Sequence, residues 1–275
     1  MPDVAAARAF DPAAVPAALI AGGALVERIE DAALSSTQPA QQVFYDGWLL
    51  RHSPGRARRA RSVNTLAPGR LPLAQKLDHC ETFYARHALP CIHRVTPFRA
   101  PEGFDAALAA RGYAAGGDTR VMALDLARIA PVSLPAVHVQ RLDVADYGAA
   151  YAQLHGLSTA KAAAESERFA RNAASTLYVA IRDGGDTVAC GSASLDGALA
   201  GVFGMVTAEA QRGRGLARAL VAALLADARA AGAATAYLQV EADNDPARSV
   251  YRKFGFSDCY AYWYRGQSGV AETAT

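Results

Sequence analysis

The sequence predicts an α/β (α+β) protein built from two similar lobes, and three observations support this class. Apolar segments typical of strands alternate with amphipathic segments typical of helices along most of the chain. Residues 127–137 interrupt this alternation with two prolines, as linkers do. The order strand, helix, strand, helix, glycine–aromatic pair, strand occurs at 59–126 and again at 202–264. We therefore expect one architecture used twice, in lobes of residues 1–130 and 136–268.

The first lobe is predicted to begin with a helix at residues 24–34. Pro68-Gly69 marks a turn before the second helix, and Gly112 fits a left-handed cap after the third. The later helices are expected at 73–87 and 102–111, and the strands at 42–51, 59–66, 90–96 and 119–126.

The second lobe is predicted to repeat this alternation and to end in two further helices. Leu216, Leu220 and Leu224 recur at i, i+4 spacing and form an apolar stripe that faces a sheet. Asp245 is a suitable N-cap for the last helix, with Pro246 in its first turn. We expect helices from 143 and at 216–231 and 246–254, and strands at 137–142, 176–182, 187–196, 202–207, 235–240 and 260–264.

Composition restricts the class of protein. The 275 residues include 28 Lys and Arg against 26 Asp and Glu, so the formal net charge is only +2. A hydrophobic share of 52% and a charged share of 20% are typical of a globular protein. The near balance of charge argues against nucleic acid or an anionic membrane as the main partner.

The cysteines and the apolar segments indicate a cytoplasmic protein. The four cysteines have neither zinc-site nor disulfide-framework spacing, so we expect reduced thiols and no metal: Cys80, Cys91, Cys190 and Cys259. Pro16 and Gly22-Gly23 interrupt the apolar run 13–26, which makes a secretory leader an unfavourable interpretation. No segment reaches the ~20 apolar residues that a membrane-spanning helix needs.

Residues 202–217, VFGMVTAEAQRGRGLA, predict an anion-binding turn between a strand and a helix. A glycine-flanked turn at a helix N-terminus leaves several N–H groups aimed at one point, as pyrophosphate binding requires. A Walker A loop would need Gly-Lys-Ser/Thr, and a Rossmann turn would need a glycine where Arg218 stands. On this stretch alone, an ordinary glycine-rich turn remains an equal alternative.

A second motif lies about 30 residues further on. Residues 244–256 read N-x-x-A-x-x-x-Y-x-x-x-G-F, carried by Asn244, Ala247, Tyr251 and Gly255-Phe256. The two motifs in this order resemble those of the GNAT acetyltransferase superfamily, over roughly residues 135–266. The first half resembles the degenerate first lobe of a tandem GNAT protein. The resemblance implies a mixed, mostly antiparallel sheet flanked by helices in each lobe.

The resemblance also implies acetyl-CoA as cosubstrate, held by the second lobe alone. In the first lobe the matching loop, 67–72, contains two prolines, which lack N–H donors. In the second lobe, the strand end would run beside the pantetheine arm, the turn would hold the pyrophosphate, and the last helix would contact the arm from the other side. These sets are Met205, Val206 and Thr207; Gln211, Arg212, Gly213, Arg214, Gly215, Leu216 and Ala217; and Asn244, Ala247 and Tyr251.

The reaction implied is direct attack of a primary amine on the acetyl thioester. By resemblance, the Val206 N–H would stabilise the developing oxyanion and Tyr251 would protonate the leaving thiolate. A buried core aromatic is the alternative for Tyr251. Glu241 is the best placed general base, acting through water, although a salt bridge or helix cap explains it equally well; His155 is a second candidate.

The acceptor is expected to be a small-molecule or peptide amine, and the protein a monomer or homodimer. The alternative function is a non-catalytic acyl-CoA-binding or sensor module. Residues 51–61 contain five arginines: Arg51, Arg56, Arg58, Arg59 and Arg61. We interpret them as a solvated hairpin rather than a nucleic-acid-binding surface, and steering of an anionic acceptor is the intermediate alternative. Tyr260, Tyr262 and Tyr264 share one strand face, opposite Trp263, as core or pocket residues.

Overall fold

The computed structural model describes residues 10–53 and 57–267, which contain eleven strands and seven α-helices. The strands are β1 (Gln41–Tyr45), β2 (Trp48–His52), β3 (Val63–Thr65), β4 (Ile92–Val95), β5 (Ala114–Asp125), β6 (Gln140–Leu142), β7 (Ser175–Asp183), β8 (Asp186–Asp196), β9 (Leu199–Thr207), β10 (Thr235–Glu241) and β11 (Ser257–Gly266). The helices are α1 (Ala24–Ser35), α2 (Leu73–Arg86), α3 (Phe104–Ala110), α4 (Val144–Leu154), α5 (Thr159–Ala170), α6 (Leu216–Ala230) and α7 (Asp245–Phe254).

All the described strands belong to one sheet, in the order β1-β2-β3-β4-β11-β5-β10-β9-β8-β7-β6. Among them, only β3 with β4 and β9 with β10 run parallel. A helix connects each of these parallel pairs, α2 in the first half and α6 in the second. The predicted class of mixed, mostly antiparallel sheet flanked by helices is confirmed.

The two halves exchange their last strands at the centre of the sheet. β5 of the first half pairs along its length with β10 of the second, and β11 of the second half pairs with β4 of the first. β5 and β11 also pair with each other, antiparallel. The segments β3-α2-β4-α3-β5 and β9-α6-β10-α7-β11 therefore repeat one topology, as the sequence indicated. The division into lobes at residues 127–137 stays a prediction.

Helices cover both faces of the sheet. In the second half, α6 packs on the face that carries Val179 and Ala189, while α4 packs on the face of Ala180 and Cys190. Neighbouring strand residues point to opposite faces, so these contacts place the two helices on opposite sides. The predicted stripe on α6 is confirmed, because Leu216, Leu220 and Leu224 are at most 4% exposed. No helix among the described residues is long and apolar enough to cross a membrane.

In the first half, a carboxylate occupies the turn that precedes α2. The N–H groups of Arg70 and Leu71 each donate to the Asp46 carboxylate at 2.9 Å. The ammonium of Lys76 lies 3.2 Å from Asp46 Oδ2, which completes the neutralisation of this carboxylate. The turn before α2 is thus occupied from within the chain, in the place where the second half carries its glycine-rich turn.

Three sequence-based elements differ from the structure. The strand predicted at 42–51 is a hairpin, and its two turn residues Asp46 and Gly47 have φ of 43° and 82°, as a two-residue turn requires. The strand predicted at 59–66 is shorter, because Arg58–Ala60 forms a 3₁₀ turn before β3. Helix α5 was not predicted, although its Ala- and Glu-rich sequence is typical of a helix.

Candidate active site

The sheet opens between the parallel strands β9 and β10. They pair only from Leu199 with Thr235 to Val202 with Leu238. Beyond this point β9 continues to Thr207 and β10 to Glu241 without pairing to each other. The strands therefore form a wedge whose two edges carry backbone N–H and C=O groups that no partner strand uses.

A bulge in β9 directs this opening. Between the pairs Ser192–Phe203 and Cys190–Val206, Gly204 and Met205 lie opposite the single residue Gly191. Gly204 has a φ of 57°, and a Cβ there would stand 2.1 Å from the Tyr147 hydroxyl oxygen. Only glycine fits this position, because both the backbone conformation and the space exclude a side chain.

The ladder shows which N–H groups face the wedge. Ala208 donates its N–H to the carbonyl of Val188 at 2.8 Å, and hydrogen-bonded pairs recur at every second residue of an antiparallel ladder. The N–H of Val206, paired with Cys190, therefore points toward β8. Thr207 faces the wedge, and Met205, inside the bulge, has no partner in the β8 register. The role of Val206 in binding a reacting carbonyl stays a prediction, and in this register its neighbour Thr207 is the residue whose N–H faces the wedge.

The turn before α6 exposes a row of N–H donors. Gly213 and Gly215 have φ of 78° and 79°, and Gly215 is the residue from which α6 starts. The first helical turn cannot bond its own N–H groups, so those of Leu216, Ala217 and Arg218 point out of the helix end. The Arg212 N–H donates to the Glu209 carbonyl at 3.2 Å, so the predicted run of donors begins after Arg212.

A cleft of about 600 Å³ joins the wedge to this helix end. Most of the predicted cosubstrate residues line it: Met205, Val206, Thr207, Gln211, Arg212, Gly213, Gly215, Leu216, Ala217, Asn244, Ala247 and Tyr251. Arg214 is the exception, because its guanidinium pairs with Asp183 at 3.4 Å and with the Gln211 side-chain oxygen, outside the cleft. The Arg214 side chain thus points away from the cleft, and the role of this residue beside the pyrophosphate stays a prediction.

The cleft is positively charged. Arg212, Arg218 and Lys253 line it, and its described lining contains no carboxylate. The Arg218 guanidinium lies over Gly215, since a Cβ on that glycine would come within 2.7 Å of Arg218 Nη2. Arg218 and Lys253 were missed from the sequence. Their position in the first turn of α6 and the last turn of α7 was the available signal.

Tyr251 stands where α7 borders the wedge. Burial raises the pKa of its phenol to about 12, so the hydroxyl carries its proton at neutral pH. The helix is fixed by Asn244, whose side-chain oxygen accepts from the Ala247 N–H at 3.2 Å, and by Gly255 at a φ of 102°. The N-cap is thus Asn244, and the prediction of Asp245 as the cap is wrong by one residue.

A second cleft, of about 460 Å³, opens on the other side of the wedge. The two clefts share four lining residues: Met205, Asn244, Ala247 and Tyr251. Glu241, at the end of β10, and His155, after α4, line the second cleft. The His155 ring packs 4.2 Å from the Tyr151 ring. The two sequence-based candidates for a general base therefore share one cleft with Tyr251.

The arginines of residues 51–61 do not form a solvated hairpin. Arg51 is 3% exposed and donates to the carbonyls of Leu34 and Thr37 at 3.0 Å. Arg58 and Arg59 line the second cleft, with their guanidinium carbons 5.6 and 5.4 Å from the ring centres of Tyr264 and Phe203. The solvated hairpin is therefore wrong for these three arginines; Arg56 lies outside the described residues.

The tyrosines of β11 divide between core and cleft. Tyr262 and Tyr264 line the second cleft, whereas Tyr260 is fully buried and donates its hydroxyl to Glu30 Oε2 at 2.7 Å. Trp263 packs in the core of the opposite face, as predicted. In the described part of the chain, no cluster of three or more His, Cys, Asp and Glu side chains is arranged to hold a metal ion.

Three features define the class of this domain: the wedge between β9 and β10, the N-terminal end of α6 and the buried Tyr251. The model of the Acetyltransferase (GNAT) family matches residues 142–256, which contain all three features. These residues are a GNAT acetyltransferase domain, of an enzyme family that transfers acetyl groups from acetyl-CoA to amines.

Particular relatives agree with this assignment over a longer stretch. The chain is 28% identical over 245 residues to "Uncharacterized N-acetyltransferase YobR" of Bacillus subtilis, covering 87% of this chain and 98% of that protein. A GCN5-related N-acetyltransferase from Kribbella flavida has a TM-score of 0.69 at 19% identity, over 90% of this chain and 97% of that one. A tandem GNAT protein from the clavulanic acid biosynthesis pathway has a TM-score of 0.60 at 17% identity, over 92% and 90%. Each of these two solved structures resembles the fold of this chain over at least 90% of its length.

Proposed function

We propose that this protein binds acetyl-CoA in the cleft of its second half and transfers the acetyl group to a primary amine that enters through the second cleft. The observation that carries the proposal is the position of Tyr251, a protonated phenol that lines both clefts where they meet. A group there can reach the bond that joins a donor on one side to an acceptor on the other.

The first cleft fits the shape and charge of acetyl-CoA. Its helix end offers N–H donors and the positive end of a dipole to a pyrophosphate, and Arg212, Arg218 and Lys253 add three cations. The open edge of β9 offers hydrogen bonds to the amides of an extended arm. Acetyl-CoA supplies the activated acetyl thioester; the chain binds it, orients it and moves protons.

The Met205 and Thr207 N–H groups would hold the thioester oxygen as it gains negative charge. Loss of one such donor costs ~3 kcal/mol of activation free energy in other enzymes. As the amine nitrogen bonds to the acetyl carbon, the carbon–sulfur bond breaks. The amine loses a proton to a water held by Glu241, and the thiolate takes the Tyr251 proton, which solvent then restores.

The first half would bind no acetyl-CoA. The turn before its equivalent helix already holds the Asp46 carboxylate, which a second anion would have to displace. We infer that it serves the reaction through the residues it contributes to the second cleft, among them Arg58 and Arg59. The free thiols of the cysteines support a reducing, cytoplasmic setting, and the chain would act as a monomer or homodimer.

The test is release of free CoA thiol from acetyl-CoA in the presence of a panel of amino acids, polyamines, aminoglycosides and peptides, followed by mass analysis of the amine product. The proposal expects amine-dependent thiol release with a mass gain of one acetyl group. Binding of acetyl-CoA without thiol release for any amine would instead indicate a sensor or binding module. Absence of both binding and release would overturn the proposal.

A further inference from the structure

The second cleft carries more positive than negative charge and has aromatic walls. Arg58 and Arg59 enter it from the 3₁₀ turn before β3, whereas Glu241 is its only described carboxylate. Phe203, Tyr262 and Tyr264 form walls beside the two guanidinium groups. A ligand of this cleft would therefore meet two cations at one end and flat apolar surfaces along its length.

Four of the five buried arginines among the described residues are paired with carboxylates. Arg94 pairs with Glu30, Arg99 with Glu27 and Asp31, Arg248 with Asp258, and Arg265 with Asp105. By contrast, Arg51 and Arg59 form no ion pair with any described carboxylate. Arg59 donates to the Thr37 hydroxyl at 2.7 Å, and its buried Nε has no acceptor in the described structure. The positive charge of Arg59 is thus balanced by no described carboxylate.

The arginines also repel one another. Burial first, and then the charges of Arg59 and Arg94, lower the pKa of Arg51 to about 10. Burial and the charge of Arg58 lower the pKa of Arg61. An anion bound beside the guanidinium groups of Arg58 and Arg59 would offset this accumulated positive charge.

The position of these arginines separates them from the phosphates of acetyl-CoA. The pyrophosphate end of the first cleft is lined by the turn before α6 and by Arg212 and Arg218, none of which borders the second cleft. The clefts meet only at the wedge, where the acetyl group would lie. An anion held by Arg58 and Arg59 therefore belongs to the acceptor.

We infer that the acceptor is an amine that also carries a carboxylate, which Arg59 and Arg58 bind while the amine nitrogen faces the wedge. This rests on the proposed function. Arginine matches a carboxylate with two parallel hydrogen bonds, and the aromatic walls contact the carbon skeleton between the two groups. Glu241, at the end of β10, stands near the amine end, so the charges of cleft and acceptor are complementary.

The experiment compares acids with their amides as acceptors for the intact chain. Glycine, L-phenylalanine and 4-aminobutanoate are each paired with the corresponding amide, and kcat/KM is measured by thiol release at fixed acetyl-CoA. Amides of amino acids are weaker bases and present more neutral amine, so this bias opposes the inference. We expect at least one acid to exceed its amide by about tenfold or more in kcat/KM.

A substitution of Arg59 tests whether the preference for the acid over its amide arises in the second cleft. Arg59→Gln should raise the KM for the preferred acid by about tenfold, while the Kd for acetyl-CoA stays within about twofold. Arg182→Gln is the matched control, an exposed arginine on β7 outside both clefts, and should keep the preference for the acid. Arg59→Lys, which retains a charge but not the planar fork, should lie between, and serves if the Gln variant fails to fold.

The outcomes separate the two proposals. Two results would overturn the inference that the acceptor carries a carboxylate: turnover in which no acid exceeds its amide, or an unchanged preference for the acid in folded Arg59→Gln. Neither result would contradict the proposed acetyltransferase activity. If no amine of any class causes thiol release, the proposed function is overturned, and this inference with it.

Discussion

At the scale of single residues, the chemistry depends on where Tyr251 and its neighbours lie. The N-x-x-A-x-x-x-Y spacing was sufficient to predict the position of the Tyr251 phenol beside the cleft, because Asn244 and Tyr251 belong to one short helix and their relation is local. The places of Arg59 and Arg218 in the two clefts were not predicted. Arg59 reaches the cleft from the other half of the chain, and Arg218 was noticed only as a residue that breaks a glycine pattern.

Replacing Tyr251 with Phe tests the acid directly. The change removes one hydroxyl from a buried ring and leaves its packing on Phe256, 6.0 Å away between ring centres. We expect kcat to fall about 100-fold, as for loss of a general acid, with the Kd for acetyl-CoA within about twofold. Steady-state kinetics and calorimetry measure the two constants. An unchanged kcat would show that Tyr251 is only a packing residue.

The pH dependence of kcat follows from the raised pKa of Tyr251. A phenol with its pKa near 12 is still protonated at the pH where an ordinary tyrosine begins to lose its proton. We therefore expect kcat to show no fall on the alkaline side up to about pH 10. A pH–rate profile would contradict this if kcat declined with an apparent pKa below about 9 in the native protein but not in Tyr251→Phe.

At the scale of elements, the turns before α6 and α2 occupy equivalent places in the two halves but differ in what fills them. The N-terminus of α6 is free of side-chain caps, and its two left-handed glycines hold the turn open. The N-terminus of α2 has no side-chain cap either, but Asp46 from the β1–β2 turn occupies the turn before it, where it accepts from Arg70 and Leu71. The prolines of residues 67–72 predicted a loop poor in N–H donors, and its failure to bind acetyl-CoA stays a prediction. The identity of its occupant was not predictable, because Asp46 lies 24 residues away from Arg70 along the chain.

Gly215→Ala tests the open turn. A left-handed φ costs a residue with a Cβ roughly 1–2 kcal/mol, and the new methyl group would displace the Arg218 guanidinium. We expect acetyl-CoA to bind about tenfold more weakly in calorimetry. Gly232→Ala is the matched control, since Gly232 follows the other end of α6 at a φ of 95° with open space around its Cβ. Equal affinities in the two variants would contradict this role of the turn.

Asp46→Asn tests the occupied turn. The N–H donors of Arg70 and Leu71 are the main cause that holds the pKa of the Asp46 carboxyl below its usual range. A lowered folded pKa gives stability that is present above the unfolded pKa, about 3.9, and is lost as pH falls through the folded one. The variant should therefore have a lower Tm at pH 7, and the difference should shrink below about pH 4. A Tm difference that is independent of pH would contradict this account.

At the scale of the whole molecule, the exchanged strands join the two halves into one sheet. The sequence predicted the repeat and most strands, since both follow from local periodicity. The order of the strands was not predictable, because the pairing of β5 with β10 and of β11 with β4 is non-local. The second cleft exists for the same reason. It combines residues 57–59 and the β11 tyrosines with β9, β10 and α7.

This arrangement predicts one cooperative unfolding transition. Removing either half would leave β10 or β4 without its central partner and expose a long strand edge. Calorimetric unfolding of the intact chain should show a single peak, with calorimetric and van't Hoff enthalpies that agree. Two separate peaks, or a fragment of residues 136–267 that folds alone and binds acetyl-CoA, would show that the halves are independent.

Of the two equivalent turns in this sheet, the turn before α6 is expected to bind acetyl-CoA and the turn before α2 is not. Titration calorimetry of the intact protein with acetyl-CoA tests it most directly, together with Arg218→Ala and the control Arg182→Ala. The account predicts one molecule bound per chain with a Kd below about 1 mM, weakened by Arg218→Ala and unchanged by Arg182→Ala. No binding at millimolar acetyl-CoA, or two molecules per chain, would contradict it.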